Sequence, residues 1–165
     1  MKIGIISDTH IPRRAKEIPK EFFKWFEKNK VDLILHAGDL NDPNILEILK
    51  EIAEVKAVRG NTDYIDLPEE LILEIEGKKI LLFHSDNIYP RGDISKILKY
   101  AKEKKADIVI YGHTHLPFFT YINGIYLINP GSATGVRSGE IEESIKSVAI
   151  LSLKNKIKVK FKILK

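Results

Sequence analysis

Residues 2–10 read KIGIISDTH. The β-branched run of residues 2–7 has the length and composition of a buried strand. It ends at once in polar Asp8 and His10. Downstream, Pro19 stands where a helix would open its first turn, ahead of EFFKWFEKN. Phe22, Phe23, Trp25 and Phe26 give that helix an apolar face. Residues 32–36 (DLILH) read as a second strand. Asp42-Pro43 caps a second helix running to about Ala53, with Ile45, Leu46, Ile48, Leu49 and Ile52 turned inward. Residues 55–58 form a third strand. This β-α-β-α-β opening argues for a parallel sheet with crossover helices.

The second half changes character. Residues 71–75 and 79–84 flank Glu76-Gly77-Lys78, and residues 118–122 and 125–128 flank Asn123-Gly124. Both are hairpin signals, the second the stronger. Between them lie a third helix over residues 94–104 and a buried strand over 106–111. Residues 147–153 and 156–164 add two strands turning at Lys154-Asn155. In the last one Lys156, Lys158, Lys160 and Lys162 alternate with Ile157, Val159, Phe161 and Ile163, which reads as a lysine-protected sheet edge. The expected fold is α/β, two stacked mixed β-sheets flanked by helices, in a single domain over residues 1–165.

Composition narrows the function classes. The 165 residues are 44% hydrophobic and 30% charged, which excludes a disordered chain. There is no cysteine, so disulfides, thiol catalysis, iron–sulfur clusters and sulfur-ligated zinc are excluded. No run approaches ~18 apolar residues, so no membrane span is expected. Ser7 and Asp8 interrupt the N-terminal run before it resembles a signal peptide, making the cytoplasm the expected compartment. The net charge of +4 comes from lysines scattered along solvated faces, with no basic run interleaved with aromatics. Abundant Lys, Glu and Ile with one Met resembles a hyperthermophile's protein.

Polar residues follow the apolar runs in a pattern. Asp8 and His10 follow the first strand, Asp39 the second, Asn61 and Asp63 the third; His84 closes a hairpin strand, and His113 and His115 follow the strand ADIVIY. Ligands of open α/β sheets bind outside such carboxyl ends. Gly38, Gly60 and Gly112 beside them permit sharp turns and close backbone approach. Asp8/His10 and His113/His115 share an i, i+2 spacing. On extended backbone, each pair would aim at one centre. The set offers only nitrogen and oxygen ligands, too many for one tetrahedral zinc and suited to two divalent ions. His36, inside LILHAGD, reads instead as a hydrogen-bonded structural histidine.

The ordered run Asp8-x-His10, Gly38-Asp39, Gly60-Asn61-x-Asp63, His84, Gly112-His113-x-His115 resembles the calcineurin-like metallophosphoesterases, especially the small single-domain phosphodiesterases of archaea and bacteria. The stretch Asn129-Pro130-Gly131-Ser132 is similar to that subgroup as well. The resemblance implies that Asp8, His10 and His115 hold one metal, that Asn61, His84 and His113 hold a second, and that Asp39 bridges them. It implies that Asn61 also faces the phosphate, and that Asp63 orients a neighbour. Manganese leads the expected metals, ahead of Ni, Co, Fe and Zn. A metal-bridging hydroxide would attack a small phosphodiester in line.

Two departures matter. Thr62 stands where many members carry a histidine proposed as general acid, so activated aryl esters should react better than alkyl esters. Ser85-Asp86 replaces the usual Gly and second His; Asp86 reads equally as ligand or solvated loop residue. As a further carboxylate it would favour diesters over dianionic monoesters. Arg13, Arg14, Arg91 and Arg137 lie in loops near the motifs; any of them could meet a phosphate bidentately, but each reads first as a solvated surface arginine. The rival reading is a non-catalytic scaffold, since a eukaryotic retromer subunit resembles this fold and shares a stretch like residues 129–135. A nuclease is a third reading, which salt-dependent DNA binding would test. Phe118, Phe119 and Tyr121 offer either core or an interface for a homo-oligomer.

Overall fold

Alternate residues of each central strand part to opposite sides, and this alternation builds the layers. The computed structural model describes residues 1–138 and 145–165. In order they form β1 (Lys2–Ile6), α1 (Lys20–Lys28), β2 (Leu33–His36), α2 (Asn44–Lys50), β3 (Glu54–Ala57), β4 (Glu70–Ile75), β5 (Lys78–Phe83), α3 (Ile94–Glu103), β6 (Ile108–Ile110), β7 (Pro117–Ile122), β8 (Ile125–Pro130), β9 (Lys146–Ser152) and β10 (Lys158–Leu164). One sheet runs β10-β9-β1-β2-β3 and the other β4-β5-β6-β8-β7. Strands β1, β2 and β3 are parallel, with β9 and β10 added antiparallel. The second sheet is built the same way: β5, β6 and β8 are parallel, and β4 and β7 close its edges antiparallel. The hairpin signals gave no hint of that parallel centre, because β6 reaches β8 only by stepping past β7.

The architecture is helix, sheet, sheet, helix. Ile3, Ile5, Leu33 and Leu35 of one sheet meet Ile80, Leu82, Ile108 and Ile110 of the other. Their neighbours Ile6 and Ile34 face outward against Phe22 and Phe26 of α1 and Ile45 and Leu49 of α2. Leu81, Phe83 and Val109 face outward against Ile97 and Ala101 of α3. Each fully buried side chain of this size stabilises the fold by about 1.5–3 kcal/mol.

Local readings meet specific outcomes. The turns at Glu76-Gly77 and Asn123-Gly124 have positive φ at both residues, the type I′ geometry that matches strand twist. Helix α2 stops at Lys50 and not near Ala53, because residues 51–53 bond back to Ile48 and Leu49 in tight turns. Pro43 takes the cap position without a side-chain bond; Asp42 instead accepts from the Asn44 N–H at 2.9 Å. Ile48 points outward, 37% exposed, since only Ile45 and Leu49 of this short helix are buried. Strand β10 is an edge strand with its lysines exposed or half exposed. Phe118 packs at the α3 core, whereas Phe119 and Tyr121 are exposed beside Tyr126. Among the described residues no helix is long and apolar enough to cross a membrane.

Candidate metal centre

The carboxyl ends of β1, β2, β5 and β6 deliver buried Asp8, His10, Asp39, His84, His113 and His115 to one place. They gather as two groups: Asp8, His10 and His115, and Asp39, His84 and His113, each with one ligand atom per residue within 4.8 Å of the others. Asp39 Oδ2 lies 3.2 Å from His84 Nε2 and 3.5 Å from His10 Nε2, so one oxygen faces both groups. Asn61 brings its amide oxygen to 3.0 Å from His84 Nε2. The geometry brings together every residue that the family resemblance assigns to a metal.

The two i, i+2 pairs behave differently from the extended-backbone reading. Asp8 and His10 share a group, but His113 and His115 divide between the two. Extended backbone is not what aims them. Asp8, His10, Asp39, His113 and His115 all have φ between 47° and 72°, in the left-handed region. Non-glycine residues enter that region at a cost of about 1–3 kcal/mol each, and five do so here because the surrounding hydrogen bonds hold them.

Hydrogen bonds hold one side-chain atom each of Asp8, Asp39, His84 and His115 and turn the other toward the cluster. Asp8 Oδ2 accepts from the Ser7 hydroxyl at 2.8 Å and the His113 N–H at 3.0 Å. Asp39 Oδ1 accepts from the Thr62 N–H at 2.9 Å. His84 Nδ1–H donates to the Ala37 carbonyl at 2.8 Å, and His115 Nδ1–H to the Val136 carbonyl at 2.5 Å. Each ring is thereby oriented with Nε2 toward the carboxylates. Among the described residues Asp8 Oδ1 and His10 Nε2 are buried without a hydrogen-bond partner. Orphaned buried groups of that kind are costly unless something else satisfies them. The donor set, the free atoms and the shared Asp39 oxygen fit two divalent cations.

Two glycines make the close approach possible. A Cβ on Gly60 would lie 2.1 Å from Asp39 Oδ1, and one on Gly112 would lie 2.2 Å from Ser7 Oγ and 2.8 Å from Asp8 Oδ2.

Charge follows the same plan. Burial disfavours the charged form of Asp8, but His10 and His115 beside it outweigh burial and hold its carboxyl well below the usual range. Burial also opposes charge on His84, yet Asp39 and Asp8 raise it to about 9. Burial, with His84 and Arg91 nearby, lowers His113 to about 4. His36, outside both groups, is lowered to about 4 by burial. It accepts the Gly38 N–H at Nδ1, 3.1 Å away, and faces the Thr9 hydroxyl at Nε2, the structural role its strand position indicates.

Asp63 does not face the cleft centre with the metal ligands. Its Oδ2 accepts the N–H groups of Asp39 at 2.8 Å and Gly60 at 2.9 Å, and its Oδ1 accepts that of Asn41 at 2.8 Å. It is a positioning residue for the Asp39 turn. The Thr62 hydroxyl accepts from Asn41 Nδ2 at 2.9 Å. Asp86 belongs to neither group; it lines a side pocket with Glu69 and Glu70. Asn129 donates to the Gly112 carbonyl and Thr114 hydroxyl, and Ser132 donates to the Asp8 carbonyl at 2.8 Å. This stretch braces the loops that carry Asp8 and His113, beyond the turn chemistry legible in Asn-Pro-Gly. Sequence reading missed Ser7 and Asn41. A polar Ser7 ending an otherwise apolar strand was a signal for the first; Asn41 carried none.

The sequence profile of the calcineurin-like phosphoesterase superfamily domain matches residues 1–156. A probable metallophosphoesterase of Methanocaldococcus jannaschii is 47% identical over 160 residues, spanning 97% of this chain and 80% of that protein. Among solved structures, wild-type Vps29 of Entamoeba histolytica complexed with zinc superposes with a TM-score of 0.89 at 29% identity, covering 99% of this chain and 98% of that one. A structure described as a novel archaeal phosphodiesterase superposes with a TM-score of 0.76 at 26% identity, covering 99% and 100%. Two mixed sheets carrying paired histidine and aspartate clusters, with a profile match over nearly the whole length, place the chain in the calcineurin-like phosphoesterase superfamily.

Proposed function

We propose that this protein is a phosphodiesterase acting on a small phosphodiester, with two divalent cations, manganese foremost, at the clustered ligands. The observation that carries the reading is the Asp39 carboxylate: one oxygen is held by the Thr62 N–H while the other faces histidines of both groups. Asp8, His10 and His115 would hold one cation; Asn61, His84 and His113 the other; Asp39 both. When bound, such cations acidify water and neutralise phosphoryl oxygens. The Asn61 side chain, at the cleft mouth, is positioned to donate its amide N–H to a phosphoryl oxygen while its carbonyl faces His84. Asp63 keeps the Asp39 turn in register. His113, neutral at physiological pH, offers a lone pair without first losing a proton.

No histidine beyond the ligands lines the mouth to protonate a leaving alkoxide, and Thr62 has its hydroxyl oxygen tied to Asn41. Aryl esters, whose leaving groups need no proton, should therefore outpace alkyl esters. Asp86 sits in the side pocket, so a preference for diesters would not come from its direct contact with a metal.

The test is hydrolysis of bis-p-nitrophenyl phosphate by metal-stripped protein, with Mn, Ni, Co, Zn or Mg restored and Asp39→Ala as control. Metal-dependent turnover, lost in the variant, supports the reading. Bound metal without turnover favours the second reading, a protein-interaction module of the same fold. That reading is supported by the Vps29 likeness and by exposed Phe119 and Tyr121 on edge strand β7, a surface suited to a partner or a second copy.

A further inference from the structure

The chain has five arginines among its 27 basic residues. Arg59 pairs with Glu69, and Arg13 lies over the Tyr64 ring. The other three, Arg14, Arg91 and Arg137, all line the mouth of the metal cleft, a cavity of about 370 Å³ that among the described residues no lysine lines. They come from three separate loops, β1–α1, β5–α3 and β8–β9. Among the described residues none of the three pairs with a carboxylate.

The loops are tied to one another. The Arg14 guanidinium donates to the Arg137 carbonyl at 2.6 Å, and Arg91 donates to the hydroxyl of buried Ser138 at 2.5 Å. Both arginines line the same cleft mouth as His113 and His115. On the other side of Asn61 the cleft continues into a pocket lined by Asp63, Glu69, Glu70 and Asp86, whose Arg59 is already paired. One side is therefore cationic and preorganised, and the other is acidic. Guanidinium groups are suited to bidentate grip of phosphate oxygens.

We infer that Arg14, Arg91 and Arg137 form a recognition rim for a second phosphate, so that the preferred ester bears a phosphate on its substituent besides the one at the metal centre. This rests on the metallophosphoesterase reading for where the first phosphate sits. A cavity of this size is that of a small-molecule site and exceeds what a lone phosphoryl group needs. The acidic pocket repels the second phosphate and fixes its direction.

Calorimetric binding of thymidine 3′,5′-bisphosphate and thymidine 5′-monophosphate to the manganese-loaded protein tests the rim. The bisphosphate should bind at least tenfold more tightly at low salt, with the advantage shrinking as salt rises. Arg14→Gln combined with Arg91→Gln should bring the two ligands within about threefold. The Arg137 side chain makes no hydrogen bond among the described residues, so Arg137→Gln tests the rim without disturbing the fold, and it should cut the advantage at least threefold. Equal affinities in the unaltered protein, or an advantage that survives all three substitutions, would overturn the inference. Turnover of the 5′-p-nitrophenyl esters of the same two compounds separates the claims. Discrimination in binding without turnover sustains the rim and removes the phosphodiesterase; turnover without discrimination does the reverse.

Discussion

Asp63→Asn should loosen the turn that carries Asp39 while leaving every metal-facing atom chemically intact. The carboxylate serves three backbone donors, two on Oδ2 and one on Oδ1. An amide of the same shape keeps one acceptor oxygen. If that oxygen stays with Asp39 and Gly60, the new NH₂ group confronts the Asn41 N–H, and one charge-assisted bond is lost outright. A hydrogen bond to a charged partner contributes about 1.5–3 kcal/mol, and the two surviving bonds weaken on losing the charge. The expected loss is about 2–4 kcal/mol, a sizeable part of a typical total near 5–15 kcal/mol. Urea unfolding of the metal-stripped variant measures it. Because Asp39 faces both histidine groups, metal affinity should fall about 10–100-fold as well, the usual scale for removing a ligand's support. A variant whose stability stays within about 0.5 kcal/mol of the parent, with unchanged metal affinity, would refute the positioning role.

Two further outcomes are expected. Gly60→Ala should abolish metal binding, measured by elemental analysis after loading, because its Cβ would sit 2.1 Å from Asp39 Oδ1 with backbone close behind; retention of both metals would contradict this. The metal-stripped protein should be most stable near neutral pH. His84, raised to about 9 despite burial by Asp39 and Asp8, contributes stability fully present below 6.5 and lost as pH rises through about 9. His36 and His113, both lowered to about 4 chiefly by burial, contribute stability present above 6.5 and lost as pH falls toward 4. Thermal midpoints across pH 4–10 check both slopes, and metal loading should remove the alkaline one, since His84 Nε2 is then occupied.

Much of the molecule was legible because its signals are local. The hairpin turns declared themselves through Glu76-Gly77 and Asn123-Gly124, where φ must be positive twice in succession. The alternation of Ile3 and Ile5 with Ile6 marked a strand buried on both faces. The ligand residues stood out as polar interruptions after apolar runs, in an order that resembles one family. Helix α2 was read too long because its apolar spacing continues through Ile52 after the helix has ended.

The sequence by itself marked the side chains that cluster at the sheet ends, since residue type and strand-end position survive without coordinates. How they are shared out was implied by the family resemblance, and tertiary structure gives the physical means. Left-handed backbone at Asp8, His10, Asp39, His113 and His115 sends His113 and His115 to different groups, and no periodicity rule predicts that. The same holds for Asp63, one of whose three donors, Gly60, lies in its own turn and two, Asp39 and Asn41, in the β2–α2 loop, and for arginines 14, 91 and 137, which three distant loops bring to one cleft mouth. Such roles depend on closure of long loops over the sheet ends, a property of packing and not of any local run.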